Sequence, residues 1–209
     1  LDSSMTTDYL RTSHANRSAE FIQAKYATDK RLEVAKVNLS NLLAKLCASH
    51  CQSVENLIPS QGFNYDEQIG QFTVNMPFLA IIIRLSDILD FDRDRTPDSL
   101  FRTIHFTNDV SIKEWEKHRG VTGWGISSEL IRYSMQFYQP IYEATARHFI
   151  DWIDEELGAC KILCSNFPQA VSRYKLLLPE KVDRSRIGPI GNAYIYHDLE
   201  FSLSRDEVI

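Results

Sequence analysis

"MPFLAIIIRLSDILD", residues 76–90, is the stretch on which the fold turns. Phe78, Leu79, Ile81, Ile82, Ile83, Leu85, Ile88 and Leu89 surround almost the whole circumference of a helix. A helix apolar all round is buried by its neighbours, so this one is predicted to be central and covered on most sides. Asp87 interrupts it, three residues from both Arg84 and Asp90. A carboxylate among such neighbours costs several kcal/mol unless it meets a cation, a metal or several donors, so a partner for Asp87 is expected.

Upstream, two helices are predicted over 9–27 and 29–50, parted at Thr28-Asp29, where a short polar side chain can cap the second. Ala35, Leu39, Leu42, Leu46 and His50 follow at steps of 4, 3, 4 and 4, the spacing of one buried stripe. Leu10, His14, Arg17 and Phe21 do the same at steps of 4, 3 and 4, which directs the His and Arg inward or into a cleft. Residues 53–75 dissolve into Pro, Gly, Asn, Gln and Ser, a loop with room for one short element. Loops of that length in a compact domain are commonly functional or mobile.

Downstream, Thr96-Pro97 starts a short helix, with Pro in its tolerated first turn. "SIKEWEKH" (111–118) has helical character; "GVTGWGISS" (120–128) and "ELIRYSM" (129–135) have the alternation of a small hairpin. The glycines at 120, 123 and 125 lack the strand and helix that a phosphate-cradling loop needs. His118 reads as finishing its helix, with His105 a weaker candidate for any role, and Trp115 and Trp124 read as core aromatics. Pro140–Cys164 is a last long amphipathic helix. "LPEKVDRSRIGPIG" (178–191) has linker composition, and "YIYHDLEFSLS" (194–204) is a strand-like end. The sum is a mainly α helical bundle over 1–166 with a small β-hairpin, followed over 167–209 by a linker and a strand-like tail.

Hydrophobic residues at 44% and charged residues at 24% suit a chain that buries a sizeable core. A net charge of −5 leaves no broad footprint for nucleic acid. The longest apolar run, Phe78–Leu89, is too short and too interrupted to cross a membrane, so no membrane partner is expected. Cys47, Cys51, Cys160 and Cys164 form two i,i+4 pairs, a spacing that matches neither a disulfide framework nor a zinc ribbon and points to reduced thiols in a cytoplasmic protein. The start without Met and the abrupt end at Ile209 suggest a piece of a longer chain.

Two readings of the polar residues stand side by side. In one, Arg84 or Arg17 satisfies Asp87, and His14 and His50 are hydrogen-bonded core histidines. In the other, His14, His50 and Asp87 converge from three helices as a two-histidine, one-carboxylate site for iron, manganese, zinc or nickel. Periodicity alone does not choose between them.

The order of "RTSHANRS" (11–18), "LAKLCASHC" (43–51) and "IIIRLSDILDFDRDRTP" (81–97) resembles the HD superfamily of metal-dependent phosphohydrolases. Together with "EWEKHRGVTGW" (114–124), it is similar to the HD domains on the N-terminal side of chaperone- and gyrase-type ATPase modules in bacterial conflict and antiviral-defence proteins. "LPEKVDRSRI" and the residues after it look like the segment leading into such an ATPase. The resemblance implies an HD-domain helical bundle. It also implies that the metal is held by the first His, by the His and Asp of a paired motif and by a distal Asp, which fall on His14, His50, Cys51 and Asp87. Cys51 departs from the pattern, standing where the signature Asp belongs. A thiolate is softer and cannot bridge two hard cations as a carboxylate does, so a second metal is in doubt.

The implied cofactor is a divalent transition metal (Mn, Fe, Ni or Zn, with Mg less suited). The implied chemistry is metal-assisted hydrolysis of nucleotide or nucleic-acid phosphates. Arg17 would neutralise phosphoryl charge, and Asp90 or Glu55 would orient water. The implied partner is a covalently linked ATPase module, with self-association left open. The alternative function is a degenerate HD module that binds a nucleotide or partner and regulates that ATPase; Cys51 favours it, while His14, Arg17, His50 and Asp87 favour the enzyme.

Overall fold

The computed structural model of the protein describes residues 3–104, 106, 108–174 and 176–197. Among the described residues six α-helices and three small sheets make it mainly α, as predicted. The described chain forms two compact units. One holds the residues up to Asp90 with Ser127–Glu129 and Trp152–Lys181; the other holds Phe91–Ile126, Leu130–Asp151 and the residues from Val182 onward. His105 and most of the expected strand-like end, from residue 198, lie outside the described residues.

In the first unit, α1 (Ser3–Tyr26) packs on α2 (Ser40–Ser49), and α2 packs on α3 (Met76–Leu89). The helix predicted over 29–50 is shorter than its periodicity suggested. Asp29 caps a 3-10 turn (Lys30–Leu32), and Ala35 and Lys36 take left-handed φ of 50° and 66°. Those two residues turn a hairpin of β1 (Glu33–Val34) and β2 (Val37–Asn38), consuming the first steps of the stripe. Asn38 then ties the two helices together. Its amide donates to Tyr26 O at the end of α1 and to Asp29 O, and its Oδ1 accepts from Ser40 N at the start of α2.

The stretch 53–75, read as a loop, contains the hairpin β3 (Glu67–Ile69) and β4 (Phe72–Val74). Gly70 turns it at φ 60°, and a Cβ there would stand 2.3 Å from the Ala35 Cβ, so the tips of the two hairpins meet where only a hydrogen fits. Asn75 caps α3 by accepting from Phe78 N.

Two expectations about faces are corrected. The Leu10–His14–Arg17–Phe21 stripe is not inward. Leu10 is 43% and Phe21 55% exposed, and α1 packs instead through Ala15, Ala19, Ile22 and Tyr26, one helical face further round. Helix α3 is covered on most sides, as predicted, but Asp87 is not among its buried residues: Ala80, Ile81, Leu85 and Ile88 face the core, while Ile82, Ile83 and Asp87 lie on the one exposed side. The Asp87 carboxylate therefore keeps its hydration, which removes the need for a buried partner.

In the second unit, α4 (Asp98–Ile104) and α5 (Asp109–Arg119) precede a sheet in the order β5 (Val121–Ile126), β6 (Leu130–Phe137), β7 (Lys181–Pro189). The hairpin β5–β6 is the one predicted. The C-terminal strand lies in the stretch read as linker, where Val182 and Ile187 bury their side chains. Phe91 centres this core, with Phe149 at 4.6 Å, His118 at 4.9 Å and Tyr133 at 5.3 Å between ring centroids. Trp124, read as a core aromatic, is exposed, and its indole N–H donates to Asp92. Helix α6 (Pro140–Ser165) supplies residues to both units. In the second, the buried Glu143 accepts from Arg147 and from Tyr194, which lies after β7, and Arg147 also donates to Ile187 O within β7.

Candidate metal centre

His14 lies midway along α1; His50 and Cys51 lie where α2 ends. The Nε2 atoms of the two imidazoles are 2.9 Å apart, and Cys51 Sγ is 3.6 Å from His14 Nε2. Among the described residues these three side chains form a group whose ligand atoms all fall within 4.8 Å of one another.

The backbone fixes which nitrogen of each ring donates. His14 Nδ1 is 2.6 Å from Arg11 O, and His50 Nδ1 is 2.5 Å from Cys47 O. Carbonyl oxygens only accept, so each Nδ1 carries the proton, and each Nε2 of a neutral imidazole keeps its lone pair. Two lone pairs that close repel unless a cation lies between them. Ligating histidines are oriented by this same device, a donated Nδ1–H. A tetrahedral ion with bonds of ~2.0–2.1 Å to nitrogen and ~2.3 Å to sulfur separates two nitrogens by ~3.3 Å and nitrogen from sulfur by ~3.6 Å. The His14–His50 and His14–Cys51 separations thus lie within a few tenths of an ångström of those around one borderline-soft divalent ion, and the third pair falls within the same 4.8 Å group.

Arg84 positions the end of α2. Its Nη1 donates to Ser49 O at 3.0 Å and His50 O at 3.1 Å, the terminal carbonyls a helix leaves open. Its Nε and Nη2 grip Glu156 of α6 at 2.5 and 3.0 Å. Arg84 is therefore not the partner of Asp87 but a buried strut beneath His50. The sequence signalled it as a cation inside an apolar helix; Glu156, 72 residues away, carried no such signal.

The remaining candidates are placed differently. Asp87 lies outside the 4.8 Å group, on the exposed side of α3, close enough for its charge to act on Cys51. Desolvation pushes the Cys51 thiol up, the Asp87 carboxylate adds to this, and Arg84 acts the other way. Arg17 is exposed one turn along α1 from His14, Asp90 is exposed where α3 ends, and Glu55 is exposed in a 3-10 turn (Val54–Asn56). The structure does not gather these three into the group.

A mainly helical chain that brings two imidazoles together, with a thiol directly after the second, has the layout of HD-type domains. The HD-CE family model matches residues 2–159, more than half of the chain, and the chain belongs to that family. No curated protein and no solved structure matches it.

Proposed function

We propose that the protein is a metal-dependent phosphohydrolase or nuclease acting on nucleotide or nucleic-acid phosphates, as the HD domain of a larger bacterial defence-type ATPase protein of the cytoplasm. The observation that supports it is the facing pair of Nε2 lone pairs on His14 and His50 with the Cys51 thiol beside them. These three residues would hold the ion, with Asp87 adjacent. When bound, a divalent ion supplies Lewis acidity toward a phosphoryl oxygen and acidifies a water toward neutrality. Arg17, on the face of α1 that carries His14, offers a planar guanidinium to phosphoryl oxygens. Asp90 and Glu55 are the carboxylates assigned to orienting the attacking water. Residues 1–166 form the catalytic domain, and residues 167–209 lead toward the ATPase module.

A second reading is favoured by Cys51 itself and by the place of Asp87 outside the ligand group. A centre of two imidazoles and one thiol holds one ion firmly but lacks a carboxylate to share between two. In this reading the domain binds a nucleotide or a partner and regulates the adjoining ATPase. Metal content of the purified protein, phosphate release from a nucleotide panel and degradation of single- and double-stranded nucleic acids, each with His50→Ala as control, separate the two. Metal-dependent turnover lost in His50→Ala supports hydrolysis. Bound metal without turnover in any divalent-ion buffer supports regulation, and turnover that survives His50→Ala sinks the centre.

A further inference from the structure

Where α5 ends and β5 begins, the second unit holds an open, polar cavity of about 400 Å³. That is the small end of the range that takes small-molecule ligands. Main-chain bonds fix its frame: Gly120 N donates to Glu116 O at 3.0 Å, Gln136 N to Gly120 O at 2.9 Å and Ile190 N to Phe137 O at 2.9 Å. The Phe137 ring packs so closely on Gly120 that a Cβ there would collide with it.

Two guanidinium groups line the cavity, and they differ. Arg119 is pinned: Nη1 donates to Glu116 at 2.5 Å, Nη2 to Asp98 at 2.9 Å, and the group lies over the Phe101 ring at 5.1 Å. Each terminal nitrogen carries two protons, so these two bonds leave it donors to spare. Arg93, from a 3-10 turn (Arg93–Arg95), is exposed, and its side chain has no hydrogen bond or ion pair among the described residues. Nor do the side chains of Gln136, Gln139 and Tyr142, which line the same cavity. The charged residues of the lining are Arg93, Glu116 and Arg119. Glu116 is matched by Arg119, and the charge left over is the positive one on Arg93.

The free groups can all donate, and they come from a turn, a strand, the segment before α6 and α6 itself rather than from one plane. A guanidinium fork joined by amide donors from other directions suits a tetrahedral oxyanion, whose oxygens point several ways, better than a planar carboxylate. Neither His nor Cys is in the lining, and its one carboxylate is engaged, so the cavity is equipped to bind such a group and not to transform it.

We propose that this cavity binds the phosphate group of a small molecule, free phosphate or a phosphomonoester, through Arg93 with Arg119, Gln136 and Gln139. The cavity lies wholly in the second unit, whereas His14, His50 and Cys51 lie in the first. The inference therefore goes beyond the metal-centre reading and does not depend on it.

Calorimetry on the purified protein in EDTA, which keeps metal away from His14 and His50, tests it with inorganic phosphate, ribose 5-phosphate, AMP and adenosine. Inorganic phosphate or the esters should bind with a Kd of about 1 mM or tighter, and adenosine should not bind. Tighter binding of the esters identifies an ester as the occupant; equal or weaker binding identifies the free ion. Arg93→Ala removes a side chain without partners, so it should keep the Tm while weakening the phosphates about fivefold or more. Arg93→Lys keeps the charge without the fork and should recover only part of the loss. Gln136→Glu brings a carboxylate into the lining and should abolish binding. Arg102→Ala, the same loss of charge on α4 outside the lining, should change nothing, and neither should His50→Ala. Binding weaker than about 1 mM, adenosine binding as tightly as AMP, a smaller loss in Arg93→Ala or an equal loss in Arg102→Ala would overturn the inference. A loss in His50→Ala with Arg93→Ala unaffected would overturn it too and put the phosphate at the metal centre.

Discussion

His14 Nε2 and His50 Nε2 face each other across 2.9 Å, each ring held from behind by a main-chain carbonyl. Two backbone segments, one in mid-helix and one at a helix end, thus aim lone pairs at the same point. An ion bound there stabilises the fold by mass action. At a free zinc concentration 100-fold above Kd the gain is about 2.7 kcal/mol, or roughly 5–11 °C in Tm for a chain of this size. Differential scanning fluorimetry should show that rise in the wild type, its reversal by a chelator, and its absence in His14→Ala and His50→Ala. A rise that persists in both variants places the ion elsewhere.

The Arg84 strut is worth more to the fold than a surface ion pair, because its side chain is 8% exposed and that of Glu156 15%. Arg84→Ala strands a buried carboxylate and two helix-end carbonyls, and about 3–5 kcal/mol of stability should be lost in urea unfolding. Arg84→Lys should recover little of it, since one ammonium cannot fork Glu156 and also reach Ser49 O and His50 O. A loss below about 1 kcal/mol for Arg84→Ala would show the pair to be solvent-screened.

Two glycines should respond in opposite senses to the same methyl group. Gly70 combines φ 60° with a Cβ position 2.3 Å from Ala35, so Gly70→Ala should cost more than about 1 kcal/mol. Gly158 lies inside α6 with nothing within 4 Å, and Gly158→Ala should add about 0.5–1 kcal/mol. Chemical denaturation of both variants decides the matter; equal effects would discount the contact between the hairpin tips.

The Cys51 and Cys160 thiols differ in accessibility in a way that alkylation can read. Cys51 is exposed, whereas Cys160 is fully buried and desolvation pushes its thiol up to about 12. Iodoacetamide at neutral pH should label Cys51 in the zinc-free protein and spare Cys160. Saturating zinc should slow Cys51 labelling by about tenfold or more, since a ligating thiolate is withheld from electrophiles. Mass spectrometry of tryptic peptides reports both; labelling of Cys51 at an unchanged rate would remove it from the ligand set.

What the sequence disclosed and what it withheld follow from the range of the forces involved. Helical periodicity is local, so α3, α5, α6 and the β5–β6 hairpin were legible. The hairpin at Ala35-Lys36 was not, because neither residue type advertises a left-handed φ and an apolar stripe ran straight through it. Burial was misread where one helix has two plausible faces. Leu10, His14, Arg17 and Phe21 are as regular as Ala15, Ala19, Ile22 and Tyr26, and the small alanines that let α1 approach α2 closely decided the packing. At the centre, His14, His50 and Cys51 were named by order along the chain. Their mutual distance, the carbonyls behind the rings and the Arg84–Glu156 strut depend on contacts tens of residues apart, which no local pattern encodes.

His118 makes the acid limb of stability testable in the second unit. Its ring packs edge-on against Phe91 at 4.9 Å, and its Nδ1 is buried without a hydrogen-bond partner among the described residues, so it does not serve the helix end as its position suggested. Desolvation holds it down to about 4, with Lys117 and Arg95 acting in the same direction and the Asp92 backbone and Glu114 opposing. The unfolded chain, with an ordinary histidine near 6.5, therefore binds this proton more readily than the folded one. Stability from the neutral ring is fully present above pH ~6.5, declines as pH falls toward ~4, and is flat below that. Urea unfolding across this range should show the wild type losing stability relative to His118→Phe between those limits and nowhere else. A difference between the two proteins that does not change with pH would mean the ring is solvated, and the packing of Phe91 against it would have to be redrawn.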